Sequence, residues 1–229
     1  DCVSGGDVYS SWHTSQKPTL FSFTWRHFQD TTPRHHRALA ASDENYKREW
    51  IETCRSMVEL LDGHPSVGFW TLFNEGWGQF DAQAAVKAVR ELDATRPIDA
   101  TSGWYDQGCG DFISIHNYFR PLRAGWRDIR KARANRRREG AKQRAVIISE
   151  FGGLAQMVPE HTSLDHAYGY GNFATANDWC AAVKQELAKA ESLQADGLAG
   201  YIYTQLSDVE EEVNGLLTYD RKVNKLSRS

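Results

Sequence analysis

The run SVGFWTLFNEGW (66–77) decides the fold. Ser66–Phe73 reads as a strand, for VGFWTLF is apolar on both faces, as a strand is when other layers of the protein cover it on each side. It then turns abruptly polar at Asn74 and Glu75, followed by Gly76, Trp77 and Gly78. The same organisation recurs along the chain. AVIIS (145–149) runs into Glu150, Phe151 and Gly152, and further apolar runs cover Ile98–Trp104, Phe112–Tyr118 and Leu198–Leu206. Between them, Glu44–Leu61, Ala82–Leu92 and Asn177–Gln194 carry apolar residues at three- and four-residue spacing, which predicts helices.

Repeated strand then helix allows an open doubly wound sheet or a closed (β/α)8 TIM barrel. The strand ends favour the barrel. Polar and aromatic residues follow nearly every run, namely Asn74, Glu75 and Trp77; Trp104 and Asp106; His116, Asn117 and Tyr118; Glu150; Gln205 and Asp208. In a barrel those ends share one face, where active sites lie. An open dinucleotide-binding sheet calls for G-x-G-x-x-G after its first strand, and the sequence has none. The fold class expected is therefore α/β, an incomplete TIM barrel in which about strands 4 to 8 are present and the N-terminal strands are missing. Residues 1–40 read as a long irregular connection, and Arg120–Arg144, with Arg136, Arg137 and Arg138, as a solvated helix on the outside.

Composition narrows the partners. With 229 residues, 41% of them hydrophobic, and a net charge of −3, the chain can bury one sizeable core and offers no general attraction to nucleic acid. No apolar stretch approaches the roughly 18 to 20 residues of a membrane-spanning helix. Cys2, Cys54, Cys109 and Cys180 lack the short paired spacing of a zinc or redox motif and read as packing thiols, so localisation stays open. The partner expected is a carbohydrate; no metal or cofactor is expected, and oligomeric state is not specified.

Two carboxylates that end two buried strands have the chemistry of glycosidic cleavage, which needs a proton donor for the leaving oxygen and a second carboxylate to attack or to activate water. Glu75 and Glu150 are the catalytic candidates. Trp77, Trp104 and Tyr118 can stack on sugar rings, while Asn74, His116, Gln205 and Asp208 can reach hydroxyls. The bland readings carry the rest. His35 and His36 read as solvated loop residues, His64 as a turn residue before Pro65, and the acidic run Asp208–Glu212 as a solvated loop rather than a cation site. No G-x-S-x-G elbow supports a serine hydrolase.

HPSVGFWTLFNEGWGQFD (64–81), VIISEFGG (146–153) and GYIYTQLSDVEEEVNGLLTYDR (200–221) together resemble glycoside hydrolase family 2, which contains beta-galactosidases, beta-glucuronidases and beta-mannosidases. The resemblance implies that Glu75 is the acid/base, Asn74 a ligand of the sugar 2-hydroxyl, Glu150 the nucleophile, and Tyr118, with His116 second, the group brought towards that nucleophile. It also implies that residues 1–229 are the C-terminal portion of the catalytic barrel, with sugar-binding and immunoglobulin-like domains upstream. The activity implied is retaining hydrolysis of terminal beta-glycosides through a covalent glycosyl-enzyme. Beta-glucuronidases of the family carry an Asn-x-Lys element, and no such tripeptide follows Glu150. A beta-galactosidase-like enzyme is the expectation; a beta-glucuronidase or beta-mannosidase, and a non-catalytic carbohydrate-binding barrel, are the alternatives.

Overall fold

The computed structural model describes residues 29–118, 121–122, 144–166 and 168–228. The chain forms two compact units, Asp1–Ser114 with Lys142–Ala145 and Ile115–Ala141 with Val146–Ser229.

In the first unit, helices α1 (Pro33–Ala38) and α2 (Glu44–Leu61) precede strand β1 (Trp70–Asn74), helix α3 (Ala82–Leu92), strand β2 (Ile98–Ser102) and the start of β3 (Phe112–Asn117). Strands β1 and β2 are parallel, with Trp70 opposite Ile98 and Asn74 opposite Ser102. The spacing that predicted α2 is the spacing it buries: Trp50, Cys54 and Val58 pack with Leu72, Phe73 and Phe80, and the Trp50 and Phe73 rings stack at 4.6 Å. Helix α2 is capped by Asp43, whose carboxylate accepts from the backbone N–H of Asn45 and Tyr46. Helix α3 lacks such a cap, because Asp81 is left-handed and makes no side-chain cap bond. Asp30 substitutes from far upstream, accepting from Ala82 N at 3.1 Å and Gln79 Nε2 at 2.7 Å. Burial pushes the Asp30 carboxyl above its usual range, and these donors draw it back down.

Four expectations change here. Strand β1 begins at Trp70 rather than Ser66, since Val67 N bonds back to His64 O and holds the Pro65 segment as a turn. Within residues 29–40, Pro33–Ala38 is helical, started by Thr32 with Pro33 at its first turn. His36 is buried, not solvated, with Nε2 2.5 Å from Asp30 O and Nδ1 3.0 Å from Lys47 Nζ. Arg144 also departs from a solvated helix: it is 8% exposed and grips both oxygens of Asp106 and the carbonyls of Cys109 and Phe112. The remainder of the basic segment, 123–143, lies outside the described residues, as do 1–28.

In the second unit, strands β3, β4 (Ala145–Gly152) and β7 (Gly200–Thr204) form a sheet in the order β3-β4-β7. Strands β4 and β7 are parallel, with a register shift between Ile148 and Phe151. Strands β5 (Leu154–Ala155) and β6 (Gly171–Asn172) form a short parallel pair. Helix α4 (Ala176–Ser192) is capped by Thr175 and buries Trp179, Cys180 and Val183 against Tyr203 and Leu216. Among the described residues the strands form no closed barrel, and no helix is long and apolar enough to cross a membrane. Cys54 and Cys180 are buried, and burial pushes the Cys109 thiol up to about 11.

Candidate active site

Each unit presents one of the two carboxylates. In the first, Asn74 ends β1 and Glu75 leaves it at a φ of +52°, a left-handed conformation uncommon for a residue with a side chain. Backbone bonds hold the turn: Glu75 N donates to Ser102 O at 2.9 Å, Trp77 N to Asn74 O at 3.0 Å and Gly78 N to Leu39 O at 2.7 Å. Gly76 is required there. At its φ of +78° a Cβ would stand 2.2 Å from Tyr105 Cδ2. Asn74 Oδ1 is buried and meets no hydrogen-bond donor among the described residues. A buried carbonyl left so costs about 1–3 kcal/mol and invites a donor from a ligand. Trp77 and Trp104 are half-buried in this unit, and Trp104 N bonds to Ser102 O, the acceptor of Glu75 N. Trp77 thus lies within the Glu75 turn, and the Trp104 backbone shares an acceptor with it.

In the second unit, Glu150 lies inside β4, which continues three residues beyond the expected Ser149 end. The register shift spans it. Glu150 Oε2 accepts the Tyr118 hydroxyl at 2.7 Å, and His116 Nδ1 stands 3.3 Å from the same oxygen. The Tyr118 oxygen is also 3.0 Å from Thr204 Oγ1 at the end of β7. Since the Tyr118 proton goes to Glu150, Thr204 is the natural donor of the second contact. Gln205, joined to Thr204 by a cis peptide, donates from Nε2 to Glu212 Oε2 at 3.1 Å and Asn214 Oδ1 at 2.8 Å.

Asp208 does not join this group. Expected to bind sugar hydroxyls, it is 4% exposed, and its Oδ1 is occupied by Lys225 Nζ at 2.7 Å and Gly215 N at 2.8 Å. The reason is local: residues 208–217 fold back on themselves, with Asp208 N bonded to Leu217 O, so Asp208 turns inward with the segment it anchors. Sequence reasoning also missed Thr204, Tyr170, Glu212 and Asn214. Tyr170 stacks on Tyr118 at 4.1 Å, with Gly153 beneath both rings, where a Cβ would collide with Tyr170 at 2.6 Å. The paired glycines after Glu150 were the available signal, for they mark a close approach rather than a phosphate turn.

Parallel strands alternating with helices, with carboxylates at or near strand ends and aromatic and amide groups beside them, belong to the α/β class in which strand ends carry the site. Residues 19–226 match the family described as glycosyl hydrolases family 2, TIM barrel domain, and the chain belongs to that family. It is 33% identical over 75 residues to a beta-galactosidase of Priestia megaterium, of which it spans 7%. Among solved structures it resembles a beta-D-glucuronidase of Dictyoglomus thermophilum, with a TM-score of 0.51 at 17% identity, covering 82% of this chain and 35% of that one. It also resembles a beta-galacturonidase of Eisenbergiella tayi, with a TM-score of 0.54 at 15% identity, covering 87% of this chain and 38% of that one. At such identities the two structures speak for the barrel fold alone.

Proposed function

We propose that the protein containing this chain is a retaining glycoside hydrolase of beta-galactosidase-like activity. Glu75 serves as acid/base and Glu150 as nucleophile. In the first step Glu75 protonates the glycosidic oxygen while Glu150 attacks the anomeric carbon, expelling the aglycone and leaving a glycosyl ester. In the second, Glu75 takes a proton from water as the water displaces Glu150. Tyr118 fits this role for Glu150, because its hydroxyl holds the attacking carboxylate in one rotamer before substrate arrives. Asn74 Oδ1 is a ready acceptor for a sugar hydroxyl.

The observation that carries the reading is the family match over residues 19–226, which spans both carboxylates. The galactoside preference is supported by the identity to the Priestia beta-galactosidase. Hydrolysis of nitrophenyl beta-galactoside, beta-glucuronide and beta-mannoside by the full-length protein tests it, with Glu150→Ala and Glu75→Ala beside the parent. Glu150→Ala is expected to lose all three substrates. Glu75→Ala is expected to keep turnover of activated aryl glycosides and to respond to azide by forming the beta-glycosyl azide. A product of inverted anomeric configuration, followed by proton NMR, sinks the retaining assignment.

A further inference from the structure

The groups around Glu150 close into a ring. From Glu150 the contacts run to the Tyr118 hydroxyl, to Thr204, and through one peptide to Gln205, which donates to Glu212. Glu212 is paired by a β-bridge with Tyr168, the Tyr168 ring lies edge-on to Tyr170 at 5.9 Å, and Tyr170 stacks back on Tyr118. One side of this ring is aromatic and partly open to solvent, with Tyr168 50% and Tyr170 38% exposed. The other is polar. Glu212 Oε2 takes both Gln205 Nε2 and Asn214 Nδ2 at 3.1 Å, and Asn214 is itself 1% exposed. Glu212 Oε1 has no hydrogen-bond partner among the described residues.

Two fixed amides therefore hold one oxygen of a half-buried carboxylate and leave the other as an oriented acceptor, linked to Glu150 through Gln205, Thr204 and Tyr118. An acceptor of this kind suits a hydroxyl donor on a sugar whose C–H face rests on tyrosine. It opposes a second carboxylate, since like charges brought together in a partly desolvated site disfavour binding by on the order of 100-fold. Lys225 cannot relieve this, for it is fully buried and paired with Asp208.

We propose that Glu212, positioned by Gln205 and Asn214, is a specificity-determining residue that selects neutral sugars over uronates at the site beside Glu150. The proposal rests on the glycosidase reading and names its substrate class.

The test compares full-length parent, Glu212→Gln and Glu212→Lys on nitrophenyl beta-galactoside, beta-glucoside, beta-glucuronide and beta-galacturonide. The parent is expected to favour the neutral substrates by at least about 100-fold in kcat/KM. Glu212→Gln, which keeps shape and amide contacts, is expected to cut that ratio at least about tenfold, chiefly through KM, and Glu212→Lys to cut it further. A parent that prefers a uronide, or a ratio unmoved in Glu212→Gln, overturns the proposal while leaving the glycosidase reading intact. Should no glycoside be hydrolysed, that reading fails and Glu212 is decided by binding. Galactose is then expected to shift the side-chain amide resonances of Gln205 and Asn214 in the parent but not in Glu212→Gln, and glucuronate to shift neither. A shift with glucuronate, or none with galactose, overturns it.

Discussion

The Tyr118 hydroxyl sits 2.7 Å from Glu150 Oε2 and 3.0 Å from Thr204 Oγ1, so one phenol ties a carboxylate of β4 to the end of β7. Its ring is held in turn by Tyr170. Tyr118→Phe keeps the stack and deletes both polar contacts. A hydrogen bond to a charged group contributes about 1.5–3 kcal/mol, so kcat is expected to fall about 10- to 100-fold with the melting temperature nearly unchanged. Thr204→Val should cost only a few-fold, and the double variant should be no worse than Tyr118→Phe, because both act on one bond. Steady-state kinetics on an aryl glycoside check this, and additive losses would contradict it.

Gly76 gives the Glu75 turn its shape. Alanine there meets both a φ of +78° and the Tyr105 ring, at 2.2 and 2.4 Å from the new methyl. Tyr105 is itself buried and sits at a φ of +50°, which leaves it little room to withdraw. Gly76→Ala is expected to destabilise by about 2–4 kcal/mol and to reduce activity more than tenfold, as Glu75 is carried out of place. Urea unfolding beside kinetics separates the two effects. A variant with parental stability and activity would show that the turn tolerates the strain.

Local pattern told more about this chain than its polar residues did. Helices α2 and α3 were legible to the residue, because apolar spacing acts within a few positions, as does the Asp43 cap of α2. Strand existence was legible too, yet β1 starts late and β4 ends late, since those limits depend on a turn at Pro65 and a register shift around Glu150. The resemblance implied Tyr118, with His116 second, as the group brought towards Glu150, and both stand against its Oε2. Asp208, read as a sugar ligand, points inward to Lys225, while Glu212, read only as part of a solvated acidic loop, meets two amides. No period in the sequence separates them. Their roles depend on the fold-back of residues 208–217 and on partners two to seventeen positions away.

Asp93 is expected to make the first unit acid-sensitive. It accepts from the Thr95 hydroxyl at 2.6 Å, Arg96 Nη1 at 2.8 Å and Trp70 Nε1 at 2.9 Å. The Thr95 bond leads in holding its carboxyl well below the ordinary value of 3.8. A carboxyl depressed by folding contributes stability that is present above the ordinary value and is lost as pH falls from there towards the folded value. Stability is therefore expected to drop below about pH 4, and less steeply in Asp93→Asn, which should lower the melting temperature by about 5 °C at neutral pH. Melting curves from pH 7 to pH 3 check both, and an unchanged acid slope in Asp93→Asn would assign the sensitivity elsewhere.

The buried pair of the second unit yields the last prediction. Lys225 Nζ is fully buried and its three donors are all placed, on Asp208 Oδ1 at 2.7 Å, Gln156 O at 2.9 Å and Val213 O at 3.0 Å. Burial draws the Lys225 ammonium down from its usual value and pushes the Asp208 carboxyl up, and the pairing opposes both shifts. Lys225→Met fills similar space without charge. It strands the Asp208 carboxylate and two carbonyls, at a cost of about 3–5 kcal/mol near neutral pH. The sign of its pH dependence follows. Without its cation Asp208 titrates still higher in the folded state than when unfolded, so its contribution is fully present below the unfolded value and fades as pH rises through the folded one. The variant should thus regain stability between pH 8 and pH 5, relative to the parent. Adding Asp208→Asn should recover part of the loss at pH 8, because the stranded charge is removed, and should flatten the dependence. Urea midpoints of the three proteins at both pH values decide it: a Lys225→Met deficit that stays constant with pH would mean that lost packing, not the stranded carboxylate, is what the substitution exposes.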